Sequence, residues 1–408
     1  MRWRRGLWGL TLLLLVMLSL STPLSVSLTD QDQRPYPLTH DDAEIQKALE
    51  YLHNLQNNDG GFSNLGDESA ISNTHWVIMA LVAAGEDPHE WRKNGHSPID
   101  YLRANADTLL SSTDYERMIL ALVAAGENPR DFAGRDFVAE LKNEYLKENG
   151  QFSDFIYTTI WAILALSVAG EDASRSAAWL KEQQNDDGGF AWAQREKSDY
   201  DDTAAVIEAL IAAGESPDSK VIRDALEYLK TGQNDDGGFT YFGTSPSNAA
   251  SDAWVIQAIV ACGEDPQDTG WTRNGNNPID HLVSLQQPDG SFYYTSYTPS
   301  NPGYMTVCAI MALLGKSFPI KEEINVEETP APAPTSTPTL IPLPTATPAS
   351  VISTPPASSP LTPAATTSPA QAPEGTPFTA IPSFEFISVI LALLTVALSL
   401  RFKNSRLR

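Results

Sequence analysis

Three carboxyl groups, Asp199, Asp201 and Asp202, lie within one four-residue stretch of the sequence. Carboxylates held this close repel one another, and the repulsion raises the pKa of at least one of them. A carboxyl that stays protonated at neutral pH can donate a proton in catalysis. Asp202 also has a simpler explanation, because an aspartate at the start of a helix accepts hydrogen bonds from free backbone amides and stabilises the helix by about 1 kcal/mol.

These carboxyl groups belong to one unit of an internally repeated sequence. A cassette with the pattern Gln-x-x-x-Gly-x-Phe occurs four times and begins at Gln56, Gln184, Gln233 and Gln286. Six apolar stretches end in a glycine, and these terminal glycines are Gly85, Gly126, Gly170, Gly214, Gly263 and Gly315. A repeat of this length predicts helix pairs that must stack on their neighbours to bury their apolar faces.

The two helices of each predicted pair differ in composition. The second is apolar nearly all round, as in residues 203–213, which is typical of a helix buried on every side. The first is amphipathic, since Ile45, Leu49 and Leu52 recur at helical spacing between polar residues. We therefore expect apolar helices inside and amphipathic helices outside, arranged either as a closed ring or as an open solenoid.

The cassette is expected to form the turn between successive helices. Its Asn-Asp-Asp-Gly-Gly core supplies Asx side chains for local hydrogen bonds and glycines for positive φ. The alternative is a calcium loop, which would use Asp186, Asp187, Asp235 and Asp236. These acids lack the alternating ligand spacing of calcium loops, which favours the structural role.

The cassettes resemble the repeats of squalene cyclases and of protein prenyltransferase β subunits across residues 40–320. The resemblance implies an all-α fold, an α6/α6 toroid of six helix-pair repeats around a central cavity. The stretch from Asp199 to Ala204 is similar to the Asp-x-Asp-Asp-Thr-Ala motif of class II terpene cyclases, which implies that Asp201 is a general acid flanked by Asp199 and Asp202. The Asp, Cys and His zinc ligands of prenyltransferases have no counterparts at the matching helix starts, so no metal and no cofactor is expected.

Aligning the six units on their terminal glycines separates architectural positions from unusual ones. Twelve residues before the glycine, every unit has a residue that suits a helix cap, namely Asn73, Asp114, Thr158, Asp202, Ser251 and Gly303. The positions of Asp199 and Asp201 carry no acid in any other unit. The alignment therefore predicts that Asp202 caps a helix and leaves Asp199 and Asp201 without an architectural explanation.

One face of the inner helices is predicted to line the cavity, because its positions share a side at helical spacing. Besides Asp201, this face carries Trp76, Trp161, Trp254, Arg117, Glu208 and Gln257. Charges would be costly against the outer helices, so Arg117 and Glu208 are expected in the cavity, where they could pair. The tryptophans either bind an apolar or ring-shaped ligand or simply fill the core. One mouth of the cavity is expected to be rimmed by Tyr293, Tyr294 and Tyr297.

The two ends of the chain predict export and anchoring. Residues 1–27 have the basic start, apolar run and small residues of a signal peptide. Residues 321–382 are rich in Pro, Thr and Ser, which predicts a disordered stalk. Residues 383–401 form either a transmembrane helix or a sorting signal that is cut and re-attached, and residues 402–408 form a basic cytoplasmic tail. The toroid is therefore expected at the outer face of the cytoplasmic membrane or on the cell surface.

Composition limits the partners and leaves two functions open. A net charge of −24 repels nucleic acid and anionic membranes, so neither is an expected binding partner of the toroid. We expect a small apolar or carbohydrate ligand or an extracellular protein as the partner. The membrane is expected to be contacted only through the C-terminal anchor. Cys262 and Cys308 form either one disulfide or two buried thiols. The predicted function is a surface-anchored binding module, which export and tethering favour. The alternative is a class II terpene cyclase that uses Asp201.

Overall fold

The computed structural model describes residues 34–64 and 68–321. The predicted signal peptide, the stalk beyond Lys321, the C-terminal apolar segment and the basic tail lie outside these residues. The described part contains twelve α-helices, numbered α1 to α12: Ala43–Leu55, Ile71–Ala83, Pro98–Ala104, Ser112–Ala124, Phe137–Tyr145, Ile156–Val168, Ser174–Lys181, Tyr200–Ala212, Lys220–Thr231, Ala249–Ala261, Pro278–Ser284 and Pro302–Leu313. None of the helices in these residues has the length and apolar character needed to cross a membrane.

The helices form two layers that close into a ring. The even-numbered helices are the inner layer, in which each helix packs against the next and α12 packs against α2. The odd-numbered helices are the outer layer, and α1, the first of them, packs against α12, the last inner helix. This closure is the arrangement of an α/α toroid and not of the open solenoid that the repeat period also allowed.

Burial explains why the two layers differ in composition. In the inner helix α10, every residue from Ala249 to Ile259 is buried. The outer helix α1 buries one stripe, which consists of Ile45, Ala48, Leu49, Leu52 and Leu55. Burying a large apolar side chain contributes about 1.5–3 kcal/mol relative to leaving it exposed. The inner layer is therefore the hydrophobic core of the molecule, as the sequence predicted.

The cassette joins its own turn to the next unit. The side-chain Nε2 of Gln233 donates to the carbonyl of Gly237 at 2.9 Å and to the carbonyl of Trp271 at 2.6 Å. The other three cassette glutamines make the same two kinds of hydrogen bond. Asp236 accepts the backbone N–H of Gly238, and Asp187 accepts that of Gly189. The cassette has the structural role that its composition predicted.

The inner helices begin two or three residues earlier than the sequence predicted. Three of the six are capped by a side chain, and these caps are Ser111, Asp199 and Asn248, each of which accepts the amide of the residue three positions later. Asp202 is therefore not the cap of α8, because it is the third residue of that helix and donates its backbone N–H to Asp199. The prediction for Asp202 was wrong because acidic and small polar residues also suit the first turn, where they interact favourably with the helix dipole.

The two cysteines are not joined in a disulfide. Cys308 is buried within α12, and Cys262 is half-buried directly after the last residue of α10. The structure thus excludes the disulfide alternative, and neither residue cross-links the inner layer.

Truncation of a cassette glutamine should destabilise the toroid. Gln233→Ala removes two buried hydrogen bonds, each of which contributes about 0.5–1.5 kcal/mol. We expect the free energy of unfolding, measured by urea denaturation, to fall by about 2 kcal/mol. Gln194→Ala is the control, because Gln194 is exposed and its substitution should change stability by less than about 0.5 kcal/mol. Equal losses in the two variants would contradict the role of the cassette.

Candidate functional site

The carboxyl cluster lies at the start of α8, at the end of the ring where the inner helices begin; we call this end the mouth. Asp199 is 2% exposed, and its Oδ1 accepts the backbone N–H of Asp202 at 2.8 Å. Its Oδ2 is buried and has no hydrogen-bond partner among the described residues. Burial raises the pKa of Asp199 well above its ordinary value, and the charges of Asp202 and Asp201 add to the effect.

Asp201 and Asp202 are half-buried, in contrast to Asp199. The sequence led us to expect that desolvation and neighbouring charge would keep Asp201 protonated. The most deeply buried of the three carboxyl groups is that of Asp199, and burial raises its pKa. The capping role also belongs to Asp199, so one residue combines the two properties that the sequence assigned to different carboxyl groups. The role of Asp201 as a general acid stays a prediction.

Aromatic residues lie at the mouth, and two of them, Tyr241 and Tyr294, are close enough to the carboxyl cluster to be affected by its charges. Trp192, Tyr241 and Tyr294 each stand two residues after a cassette phenylalanine, and their carbonyls accept backbone amides at the starts of α6, α8 and α10. The pKa of Tyr241 and of Tyr294 is raised by burial first and then by charges of the cluster. Tyr294 was among the predicted rim residues. Tyr241 was missed, although its position after the cassette matches that of Tyr294.

The remaining predicted rim residues, Tyr293 and Tyr297, differ in exposure. Tyr293 is half-buried, whereas Tyr297 is 73% exposed. Across the described part of the chain, no three or more His, Cys, Asp or Glu side chains are grouped so that they could hold a metal ion. The mouth is therefore a set of carboxyl groups with aromatic neighbours, and proton donation or hydrogen bonding is the chemistry that its side chains offer.

The three predicted tryptophans meet in the lumen, the space enclosed by the inner helices. Trp76, Trp161 and Trp254 come from α2, α6 and α10, which are alternate inner helices around the ring. The ring centroids of Trp76 and Trp161 are 5.3 Å apart, and those of Trp161 and Trp254 are 5.7 Å apart. All three side chains are buried. Centroid separations of this size are those of favourable aromatic contacts.

A fourth ring, that of Phe318, completes this cluster. Its centroid lies 5.8 Å from that of Trp76, 5.6 Å from that of Trp161 and 5.6 Å from that of Trp254. Phe318 is 3% exposed and follows the last inner helix in the chain. The centre of the toroid is therefore packed with aromatic rings, one of which comes from the segment that leaves the last repeat.

The polar residues of the predicted cavity face contact the same segment. The buried carboxyl of Glu208 accepts the backbone N–H of Phe318 through Oε2 at 2.6 Å. Gln257 donates its Nε2 to the carbonyl of Lys316 at 3.2 Å. The guanidinium of Arg117 lies 5.4 Å from the ring centroid of Trp76 and 5.8 Å from that of Trp161. All six predicted ligand-binding residues thus converge on the tryptophan cluster and on residues 316–318.

The ion pair suggested for Arg117 and Glu208 does not form. Glu208 Oε1 has no hydrogen-bond partner among the described residues, and its Oε2 is bonded to Phe318. Burial raises the pKa of Glu208 well above its ordinary value, which favours the neutral carboxyl. The expectation was wrong because helical spacing shows which side of a helix a residue occupies but not its depth or its partner across the ring.

Sequence reasoning missed Phe318 as a member of the site. A signal for it existed, because Phe318 and Ile320 are apolar, follow the last terminal glycine and have no outer helix to belong to. An apolar residue without an amphipathic helix around it must bury its side chain against another part of the chain. In this fold, Phe318 buries its ring against the tryptophans in the lumen.

A closed ring of paired helices defines an α/α toroid. The chain belongs to the prenyltransferase alpha-alpha toroid domain family, whose model matches residues 26–108 and 132–329. Among curated protein sequences, none matches this chain.

Solved structures match this chain at low sequence identity. The type II terpene cyclase MstE from Scytonema matches with a TM-score of 0.50 and 15% identity, over 66% of this chain and 96% of that chain. The ent-copalyl diphosphate synthase from Streptomyces platensis matches with a TM-score of 0.44 and 18% identity, over 60% and 50% of the two chains. A glycosidase in complex with glucose matches with a TM-score of 0.46 and 11% identity, over 67% and 97%. At these identities, the likeness to MstE concerns the fold alone.

Neutralising Glu208 should stabilise the protein in a pH-dependent manner. The pKa of Glu208 is raised in the folded state, so folding takes up a proton between the unfolded and folded pKa values, and stability falls as the pH rises through that window. Glu208→Gln removes this loss and keeps an oxygen that can accept the Phe318 N–H. We expect the variant to be more stable than the wild type at pH 7, by about 1.4 kcal/mol for each pH unit between the unfolded pKa and the lower of pH 7 and the folded pKa, and nearly equal to it near pH 4.

The exposed Glu227 provides the matched control for this prediction. Its side chain is 72% exposed on the outer helix α9, so Glu227→Gln should give no pH-dependent gain. Urea denaturation of the wild type and both variants at pH 4 and pH 7 measures the effect. A Glu208→Gln variant that is less stable than the wild type at pH 7 would contradict the neutral state of this carboxyl.

Proposed function

We propose that the toroid is a binding module and that its lumen is the binding site. The observation that supports this proposal is the convergence of six side chains, singled out from the sequence, on a single aromatic group and its flanking backbone. Three tryptophans surround the ring of Phe318, while Glu208 and Gln257 hydrogen-bond to the backbone on either side of Ser317. A fold that only needed to fill its centre could have done so with aliphatic side chains alone.

The contacts indicate what a ligand of this site must offer. Tryptophan rings provide a large apolar surface that favours an aromatic or other ring-shaped group. The carboxyl of Glu208 accepts an N–H or O–H, and the amide of Gln257 donates to a carbonyl. Because these groups are buried, a ligand that leaves them without partners is disfavoured. The site therefore suits an apolar or ring-shaped ligand with one donor and one acceptor.

The same proposal covers the location of the module and its partners. We infer that the toroid is exported and held at the outer face of the cell through residues 383–401, with residues 321–382 as its stalk. In this position it would meet small apolar or carbohydrate ligands and other extracellular proteins. The acidic composition disfavours nucleic acid, and the membrane would be contacted through the anchor only.

The second candidate function is that of a type II terpene cyclase, and the buried Asp199 favours it. Asp199 lies beside Asp201 and has a strongly raised pKa, so the cluster can hold a proton at neutral pH. In this candidate, Asp201 would pass the proton to an alkene, with Asp199 as its neighbour. The match to MstE covers 96% of that chain, so one toroid of this size is nearly the whole of that cyclase. The packed aromatic centre favours the binding module instead.

A product assay separates the two functions. The wild type and Asp201→Asn are incubated with squalene and with geranylgeranyl dihydroxybenzoate, which is named as the substrate in a complex of MstE, and the products are analysed by mass spectrometry. We expect both compounds to be recovered unchanged from both proteins. A cyclised product that is made by the wild type and not by Asp201→Asn would overturn the binding-module proposal as the sole function and establish the cyclase.

Retention of ligand tests the lumen directly. Trp254→Ala should lower the amount of apolar compound that co-purifies with the protein or is retained after incubation, because it removes one of the three rings of the site. Trp91→Ala is the matched control, since Trp91 lies outside the tryptophan cluster and contacts His53 and Phe62. Equal retention by the two variants would contradict a binding site in the lumen.

A further inference from the structure

The chain takes a different course after its last terminal glycine than after the other five. Gly85, Gly126, Gly170, Gly214 and Gly263 each lead to a helix of the outer layer. Gly315 has a φ of +64° and is followed by residues 316–320, which form no helix. The backbone N–H of Lys316 donates to the carbonyl of Met311, and two residues later Phe318 lies among the tryptophans. The segment thus turns into the lumen.

The ring of helices is complete without this segment. The inner layer closes through the contact of α12 with α2, and the outer layer closes through α1 on α12. Residues 316–320 come after both contacts in the chain and pack inside the ring that these contacts form. We call them the inserted segment. Its position is that of an occupant of the lumen and not that of a structural member of the repeat array.

The contacts of the inserted segment are those of a bound peptide. Its two large apolar side chains are buried: Phe318 is 3% exposed and Ile320 is 4% exposed. Its backbone is recognised at two points, the N–H of Phe318 by Glu208 and the carbonyl of Lys316 by Gln257. An apolar pocket for a side chain combined with hydrogen bonds to the main chain is a common means of binding a peptide.

We propose that the inserted segment is an exchangeable ligand in cis, and that the lumen binds a peptide in which an aromatic residue precedes proline. This inference rests on the proposed function of the lumen and names the class of ligand. The inserted segment is tethered beside its binding site, where it competes at an effective concentration of about millimolar. A free peptide of the same chemistry therefore binds weakly unless substitutions lower the affinity of the lumen for the inserted segment. Binding of the free peptide and release of the inserted segment are then coupled.

The coupling has a direct chemical readout at two lysines. Lys316 is half-buried and Lys321 is exposed, and they flank the apolar part of the inserted segment. Trypsin cleaves the backbone after lysine residues that it can reach. Release of the inserted segment should therefore increase the rate of cleavage between Lys316 and Ser317. Cleavage after Lys321 provides the internal reference, because this residue is exposed while the segment is inserted.

The test uses the full chain and an acetylated, amidated peptide, Lys-Ser-Phe-Pro-Ile. The double variant Phe318→Ser, Ile320→Ser weakens the tethered copy and leaves the tryptophans intact. We expect it to bind the peptide at least about tenfold more tightly than the wild type, as measured by tryptophan fluorescence and calorimetry. A peptide with alanine in place of phenylalanine should bind to neither protein. In the wild type, saturating peptide should increase cleavage after Lys316.

One control variant and one replacement variant keep this test specific. Phe242→Ser removes a phenylalanine that is 44% exposed, and its affinity for the peptide should remain that of the wild type. If circular dichroism shows that the double variant has not folded, Phe318→Leu replaces it, because leucine keeps an apolar side chain in the lumen while removing the aromatic contacts.

The outcomes distinguish a failure of the peptide inference from a failure of the proposed function of the lumen. Farnesol is tested beside the peptide as an apolar ligand without a peptide backbone. If the folded double variant binds farnesol but not the peptide, the lumen is a binding site and the peptide inference is overturned. If it binds neither, both the inference and the proposed function fail. Equal peptide affinity of wild type and double variant would also overturn the inference, because it would show that the inserted segment does not compete.

Discussion

The closed packing of six apolar helices is the constraint on which the rest of this structure depends. An inner helix such as α10, with all residues from Ala249 to Ile259 buried, is stable only when neighbours cover it on every side. A linear array of repeats would leave its first and last inner helices exposed. The contact of α12 with α2, together with the packing of α1 on α12, removes these exposed ends. Closure therefore buries the apolar surface that the two ends of an open array of these helices would expose.

Closure also creates the lumen and determines what can occupy it. The side chains that point to the centre of the ring are removed from water, so charge there is costly. Glu208 accordingly has a strongly raised pKa, and Arg117 lies against tryptophan rings. At the mouth, by contrast, Asp201 and Asp202 are half-buried. The ring thus has an apolar centre and a more polar, acidic end, and these are its two candidate functional sites.

The sequence predicted the architecture well and the contents of the ring less well. The six terminal glycines identified the inner helices and the face that carries Trp76, Trp161 and Trp254, because helical spacing is a local property. The sequence could not predict that α8 begins after Asp199, because several consecutive residues at this point are suitable helix caps. It also could not predict the partner of Glu208. That partner, Phe318, comes from 110 residues further along the chain, and only the closed ring brings the two together.

Amide hydrogen exchange at Phe318 tests the central claim, that the lumen holds the inserted segment, most directly. The backbone N–H of Phe318 is bonded to a buried carboxyl inside the ring. We predict that this amide exchanges orders of magnitude more slowly than that of an unstructured chain, but faster than the amides of the inner helices, because the inserted segment can leave the lumen while the ring stays folded. Exchange at the rate of an unstructured chain, in a protein whose inner helices are protected, would contradict this claim.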